Sequence, residues 1–162
     1  MELTQKRVRE VFEYREDGTL VWKIATSNRA KVGTVAGGKR KNGYFFASID
    51  GKKHGVHRLV YLYHHGYMPE EIDHIDCDPS NNRIDNLRAA TRQENNRNKA
   101  KQSNNKSGYK GVFWSKERNR WIARIKIDSK IVQLGRFQNV SDAAAAYEKA
   151  AALHHGEFAR VA

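Results

Sequence analysis

A chain of 162 residues suffices for one ordinary domain or two small ones with thin cores. Its 39% hydrophobic content is globular, but 30 Lys and Arg stand against 18 Asp and Glu. The resulting formal charge of +12 and pI near 9.9 point to an anionic partner. No run approaches the roughly 18 apolar residues of a membrane span, the first residues lack the apolar stretch of a secretory signal, and Cys77 as the sole cysteine excludes an internal disulfide and a Cys-x-x-Cys zinc clip. A soluble protein of a reduced intracellular compartment, with no membrane partner, is expected.

Thr4 is placed to cap a short helix through about Phe12, with Val8, Val11 and Phe12 on one side. Asp17-Gly18 marks a tight turn before a strand at residues 20–24. Asn42-Gly43 and Asp50-Gly51 bracket another at 44–49, so the N-terminal third reads as antiparallel hairpins. Residues 57–65 carry Leu59, Val60, Leu62 and Tyr63 at helical spacing, ending at Gly66. Residues 71–90 have few apolar anchors and many Asp and Asn, which suggests a site built on loops. Thr91-Arg92-Gln93-Glu94 has the form of a capping box and starts a helix.

Polar, basic residues 99–107 read as a linker, with a domain boundary near 104. Beyond it lie three strand-like runs, 111–114, 121–127 and 131–137, and then a helix over 142–155 with Ser141 as its cap. From Leu87 to Ile127 twelve basic residues face two acidic ones, with Tyr109, Phe113, Trp114 and Trp121 interleaved. One dominant sign with aromatics among it favours nucleic acid over a merely solvated face.

The stretch from Asp73 to Asn95 holds Asp73-His74, with Asn86 twelve and Asn95 twenty-one residues after His74. This spacing resembles the HNH nuclease family, in the variant whose last position is Asn. The resemblance implies a ββα-metal core at about 57–100 inside a nuclease domain spanning 1–103. Phosphodiester hydrolysis needs a base for the attacking water and a cation against the charge that builds on the phosphate. Asp73 and Asn95 would supply oxygen ligands, which suit one Mg²⁺ or Mn²⁺ ion rather than zinc. An imidazole ordinarily titrates near pH 6.5, so His74 can accept the proton, and Asn86 can hold its other ring nitrogen.

Asn96 and Asn98 lie on the same short helix and compete with Asn95; the family spacing selects Asn95. His57-Arg58-Leu59-Val60 resembles the segment that commonly precedes the site in phage homing-type nucleases, where it supports the fold. Asp76 and Asp78 invite comparison with a calcium loop, but the glycine and glutamate that such a loop requires are missing.

Residues 107–162 resemble the plant apetala/ethylene-response-factor DNA-binding domain through Gly108-Tyr109-Lys110-Gly111-Val112, Trp121-Ile122-Ala123-Arg124-Ile125, Leu134-Gly135-Arg136-Phe137 and the alanine-rich helix. A second domain, 104–162, is thus expected as a three-stranded antiparallel sheet braced by one helix, giving an α+β protein overall. Lys110, Arg118, Arg120, Arg124 and Lys126 on this domain, with Arg88 and Arg92, are the candidate contacts to double-stranded DNA. The combination implies a phage or mobile-element endonuclease in the cytoplasm of a bacterial host, without a small-molecule cofactor; a monomer is favoured, with the oligomeric state left open. The alternative is a sequence-specific DNA-binding regulator on a non-catalytic HNH scaffold.

Overall fold

Thr4 opens the first helix, α1 (Gln5–Val11), with its hydroxyl accepting the Arg7 amide at 3.2 Å. This cap satisfies an amide that the helix itself leaves unpaired. Thr4→Ala is expected to cost about 1 kcal/mol of stability in urea unfolding. The computed structural model describes residues 3–28, 30–99 and 105–160. They form two units, Met1–Arg92 and Gln93–Ala162.

In the first unit β1 (Phe12–Tyr14) pairs antiparallel with β2 (Leu20–Trp22) across the turn at Gly18, whose φ is +88°. β2 ends before Ile24, which is exposed. β3 (Gly38–Lys39), β4 (Phe45–Ile49) and β5 (Lys52–Gly55) form a second antiparallel sheet, with Asp50 and Gly51 both at positive φ in its tight turn. α2 (Val56–His65) ends at Gly66 in the left-handed conformation, as its spacing predicts. The Gln5 amide bonds the Tyr63 carbonyl at 3.0 Å, so a carbonyl in the last turn of α2 gains a partner from α1. Val8, Val11, Phe12, Leu20, Ile49, Leu59 and Val60 form the buried centre.

Residues 71–90 are more ordered than their composition suggests. β6 (Glu71–His74) and β7 (Leu87–Ala90) pair antiparallel, placing Asp73 opposite Arg88 and His74 opposite Leu87. Four-residue strands buried by Ile72 and Leu87 among polar neighbours carry too little alternation to be read from sequence.

α3 (Arg92–Asn98) belongs, apart from its first residue, to the second unit. The Lys110 ammonium bonds the Arg97 and Lys99 carbonyls at its end, and Arg97 faces Asp128 at 4.0 Å. These contacts explain a division well ahead of residue 104; linker residues 100–104 lie outside the described residues. β8 (Val112–Ser115), β9 (Arg120–Ile127) and β10 (Lys130–Phe137) form an antiparallel sheet in the order β10-β9-β8. α4 (Val140–His155) lays Ala143, Tyr147 and Ala151 on Val112, Ala123 and Ile125. Gly111 admits that packing, since a Cβ there would stand 2.2 Å from the Tyr147 ring. Ser141 is not the cap: the helix begins at Val140 after Asn139, whose amide bonds Asp142 at 3.2 Å.

Candidate active site

Asp73 and His74 end β6 nearly sealed from solvent, at 4% and 5% exposure. A buried carboxylate is costly unless a cation meets it. Arg88, directly across the strand pair, supplies one: its Nε lies 2.9 Å and a terminal nitrogen 2.8 Å from Asp73 Oδ2. His74 turns to other partners. Its Nε2 is 3.3 Å from Asn82 Oδ1, and its ring lies 5.3 Å from that of His57 and 5.7 Å from that of Tyr44.

The connection from β6 to β7 is knotted by its own side chains. Asp76 accepts the Asp78 amide at 2.8 Å, the Asn81 side chain at 2.7 Å and the Asn86 side chain at 3.0 Å. Burial raises the Asp76 carboxyl pKa, but these bonds together outweigh it and hold the group below its ordinary range. Asp78 accepts the Ser80 hydroxyl at 2.7 Å and the Ser80 amide at 2.9 Å, and both bonds hold it low. These aspartates are turn formers, their oxygens engaged by N–H and O–H donors.

The N-terminal hairpins press on this connection. At Gly18 a Cβ would stand 2.5 Å from the Arg83 amide nitrogen, and at Gly43, 2.7 Å from Pro79. The Tyr14 hydroxyl accepts the Ile84 amide at 3.0 Å. The hairpins are therefore the wall against which the loop bearing Asn82 is set.

His57, in the first turn of α2, also has Tyr44 at 5.4 Å. Burial first, then the charges of His74 and Arg58, pull its pKa down to about 4. The folded state thus keeps His57 neutral, while an unfolded chain protonates it near 6.5. Stability is fully present above pH 6.5 and is lost as the pH falls toward 4, by up to about 3 kcal/mol from this residue. Urea unfolding at pH 7.5 and 4.5 checks this, with a smaller loss expected in His57→Phe. His54 and His64, held down by burial, add to the same trend.

The HNH endonuclease family profile matches residues 54–97, from β5 to the last turn of α3. Protein 3.8 of Escherichia phage T7 is 38% identical over 89 residues, covering 55% of this chain and 73% of that protein. The chain belongs to the family of this phage protein. No solved structure matches. An HNH match implies DNA as the substrate, and all four expected site residues, Asp73, His74, Asn86 and Asn95, fall within it.

Within the HNH segment the structure departs from expectation at Asn86. Its side chain does not hold the His74 ring. It donates to Asp76 Oδ1 and to the Asn81 carbonyl at 2.9 Å, and accepts the Asp76 amide at 3.1 Å. It braces the loop, and buried Asn82 stands by the imidazole instead. Asn95 is half-buried on α3; Asn96 is exposed and accepts the Lys99 ammonium at 2.6 Å, and Asn98 is buried. Among the described residues no group of three or more His, Cys, Asp or Glu is arranged to hold a metal ion.

The expected DNA contacts divide. Arg88 is committed to Asp73, and Lys110 to the carbonyls ending α3, so neither ammonium nor guanidinium points outward as a free phosphate ligand would. Arg92, Arg118, Arg124 and Lys126 are exposed, and Arg120 is half-buried with its guanidinium on the Asn119 carbonyl at 2.8 Å. Arg124 stacks over Phe113 at 4.6 Å, and Trp114, 42% exposed, meets Trp121 edge-on across the strands. These side chains share with Lys106 and Lys116 the walls of an open cavity of about 830 Å³ in the second unit. Among the described residues no helix is long and apolar enough to cross a membrane.

Proposed function

We propose that this chain is a metal-dependent DNA endonuclease of HNH homing type that hydrolyses one phosphodiester per site and therefore nicks duplex DNA. The observation that carries the reading is the pair Asp73 and His74, buried together at the end of β6 inside the HNH match. With Nε2–H donating to Asn82, the His74 lone pair falls on Nδ1, the nitrogen this reading assigns to take the proton from water.

The β6, β7 and α3 sequence supplies the order of a ββα-metal core, in a nuclease domain of residues 1–103. Asp73 and the Asn95 amide oxygen would hold one divalent ion, Mg²⁺ or Mn²⁺. The donor set fits, because two oxygens suffice for an ion that keeps several waters and meets substrate phosphate. Bound there, the cation would offset charge on the phosphate and the leaving oxygen.

Residues 104–162 are proposed as a DNA-binding domain of apetala type, with Arg118, Arg124 and Lys126 on its outer face. The protein acts as a monomer in the cytoplasm of a bacterial host, without a small-molecule cofactor. If six to eight phosphates are neutralised, log affinity falls with log salt at a slope of about −0.9 per phosphate. Fluorescence anisotropy from 50 to 200 mM salt measures that slope; a flat response contradicts the basic face.

Incubation of supercoiled plasmid with Mg²⁺ or Mn²⁺ tests the activity: relaxed circles are expected, and none from His74→Ala. A second reading, a non-catalytic DNA-binding regulator, is favoured by the Arg88 guanidinium standing on the would-be metal ligand Asp73. It requires plasmid to stay supercoiled with either metal.

A further inference from the structure

We infer that His57 is a second imidazole of the hydrolytic site, offering Nε2–H to an oxygen of the phosphate whose water His74 deprotonates. The inference rests on the nuclease reading above. Its basis is the placement of the ring, which packs against both Tyr44 and His74 at 5.4 and 5.3 Å in a three-ring cluster and is carried on the first turn of a helix. A helix fixes a side chain more tightly than a loop does.

Two features separate this histidine from a packing residue. Among the described residues its buried Nδ1 has no hydrogen-bond partner, a cost that a leucine or phenylalanine of similar volume would not incur. The backbone is also cut away to admit it: a Cβ on Gly55 would stand 2.5 Å from the ring Cε1 and 3.0 Å from Nδ1. Position 55 is thus held bare by the imidazole itself.

The sealed nitrogen decides which tautomer the ring adopts. Buried N–H groups without an acceptor are rarer than under-satisfied acceptors, so Nδ1 carries the lone pair and Nε2 the proton. Burial keeps the ring neutral at pH 7. It then contributes one directed donor and no full charge beside His74. No proton is transferred from His57: the water proton passes to His74, and His57 stabilises charge on the phosphate oxygen through a hydrogen bond alone.

Full-length wild type, His57→Phe and His57→Gln are compared for plasmid nicking in Mg²⁺ or Mn²⁺, duplex affinity and thermal unfolding. His57→Phe is expected to fold and bind DNA like wild type yet to lose about 100-fold in nicking rate, in kcat rather than KM. His57→Gln, which restores an N–H, is expected to recover part. A folded His57→Phe that nicks at the wild-type rate overturns the inference and leaves the nuclease reading intact. Plasmid left supercoiled by wild type itself overturns both.

Should His57→Phe not fold, ¹⁵N NMR of wild type decides. The expected signal is an Nε2–H tautomer whose Nε2 resonance shifts on adding a duplex oligonucleotide with Ca²⁺ in place of the cleaving metal. An Nδ1–H tautomer, or no shift, overturns the role.

Discussion

His74→Ala is expected to lower the nicking rate by about 10² to 10⁴-fold while leaving duplex affinity unchanged. The separation follows from where the residue sits. His74 is buried at the end of β6, against His57, Tyr44 and Asn82, whereas the exposed cations Arg118, Arg124 and Lys126 belong to the second unit. On the proposed reading, removing the imidazole takes away the group assigned to receive the water proton and leaves the exposed cations of the second unit unchanged. Asn82→Ala should act in the same direction but more weakly, because the imidazole remains while its tautomer is no longer held. Nicking rates beside anisotropy on one oligonucleotide check both; an alanine variant at position 74 that still nicks at full rate contradicts the assignment of His74 as base.

Arg88→Ala is expected to destabilise the first unit by about 3–5 kcal/mol, the cost of breaking a buried ion pair by removing one partner. Both contacting nitrogens of Arg88 lie within 3 Å of one oxygen of Asp73, and that carboxylate is 4% exposed. Arg88→Lys should recover only part, since an ammonium keeps the charge but cannot reproduce the planar guanidinium whose Nε–H bonds Asp73. In the alanine variant a divalent cation becomes the remaining positive charge of choice for Asp73. Its thermal midpoint should therefore rise on adding Mg²⁺ by more than that of wild type. Calorimetric melts with and without Mg²⁺ measure this, and a variant that melts like wild type in both conditions shows that the pair contributes nothing.

Long or strongly patterned elements were legible in the sequence. α2 announces itself by Leu59, Val60 and Leu62 and its terminal Gly66, and β9 by Ala123 and Ile125 inside with Arg124 and Lys126 outside. The resemblance to HNH nucleases singled out Asp73 and His74. The partners of that pair were not legible, because they depend on tertiary register. Arg88 looked like one more member of a basic run until strand pairing set it opposite Asp73. Lys110 likewise looked like a phosphate contact, although its ammonium ends α3. In one dimension the resemblance assigned Asn86 to the imidazole. Only the folded loop shows that Asn86 braces Asp76 and Asn82 meets the imidazole. The glycines at 18 and 43 read as turn punctuation and Gly55 carried no signal, yet each makes room for a group of the site or its loop.

The most direct measurement is anomalous scattering at the manganese edge from crystals grown with Mn²⁺. One peak is predicted, within bonding distance of a carboxylate oxygen of Asp73 and of the amide oxygen of Asn95, with the His74 ring beside it. A well-ordered crystal with no manganese at Asp73, and Arg88 still clasping the carboxylate, would contradict a hydrolytic centre built on these residues.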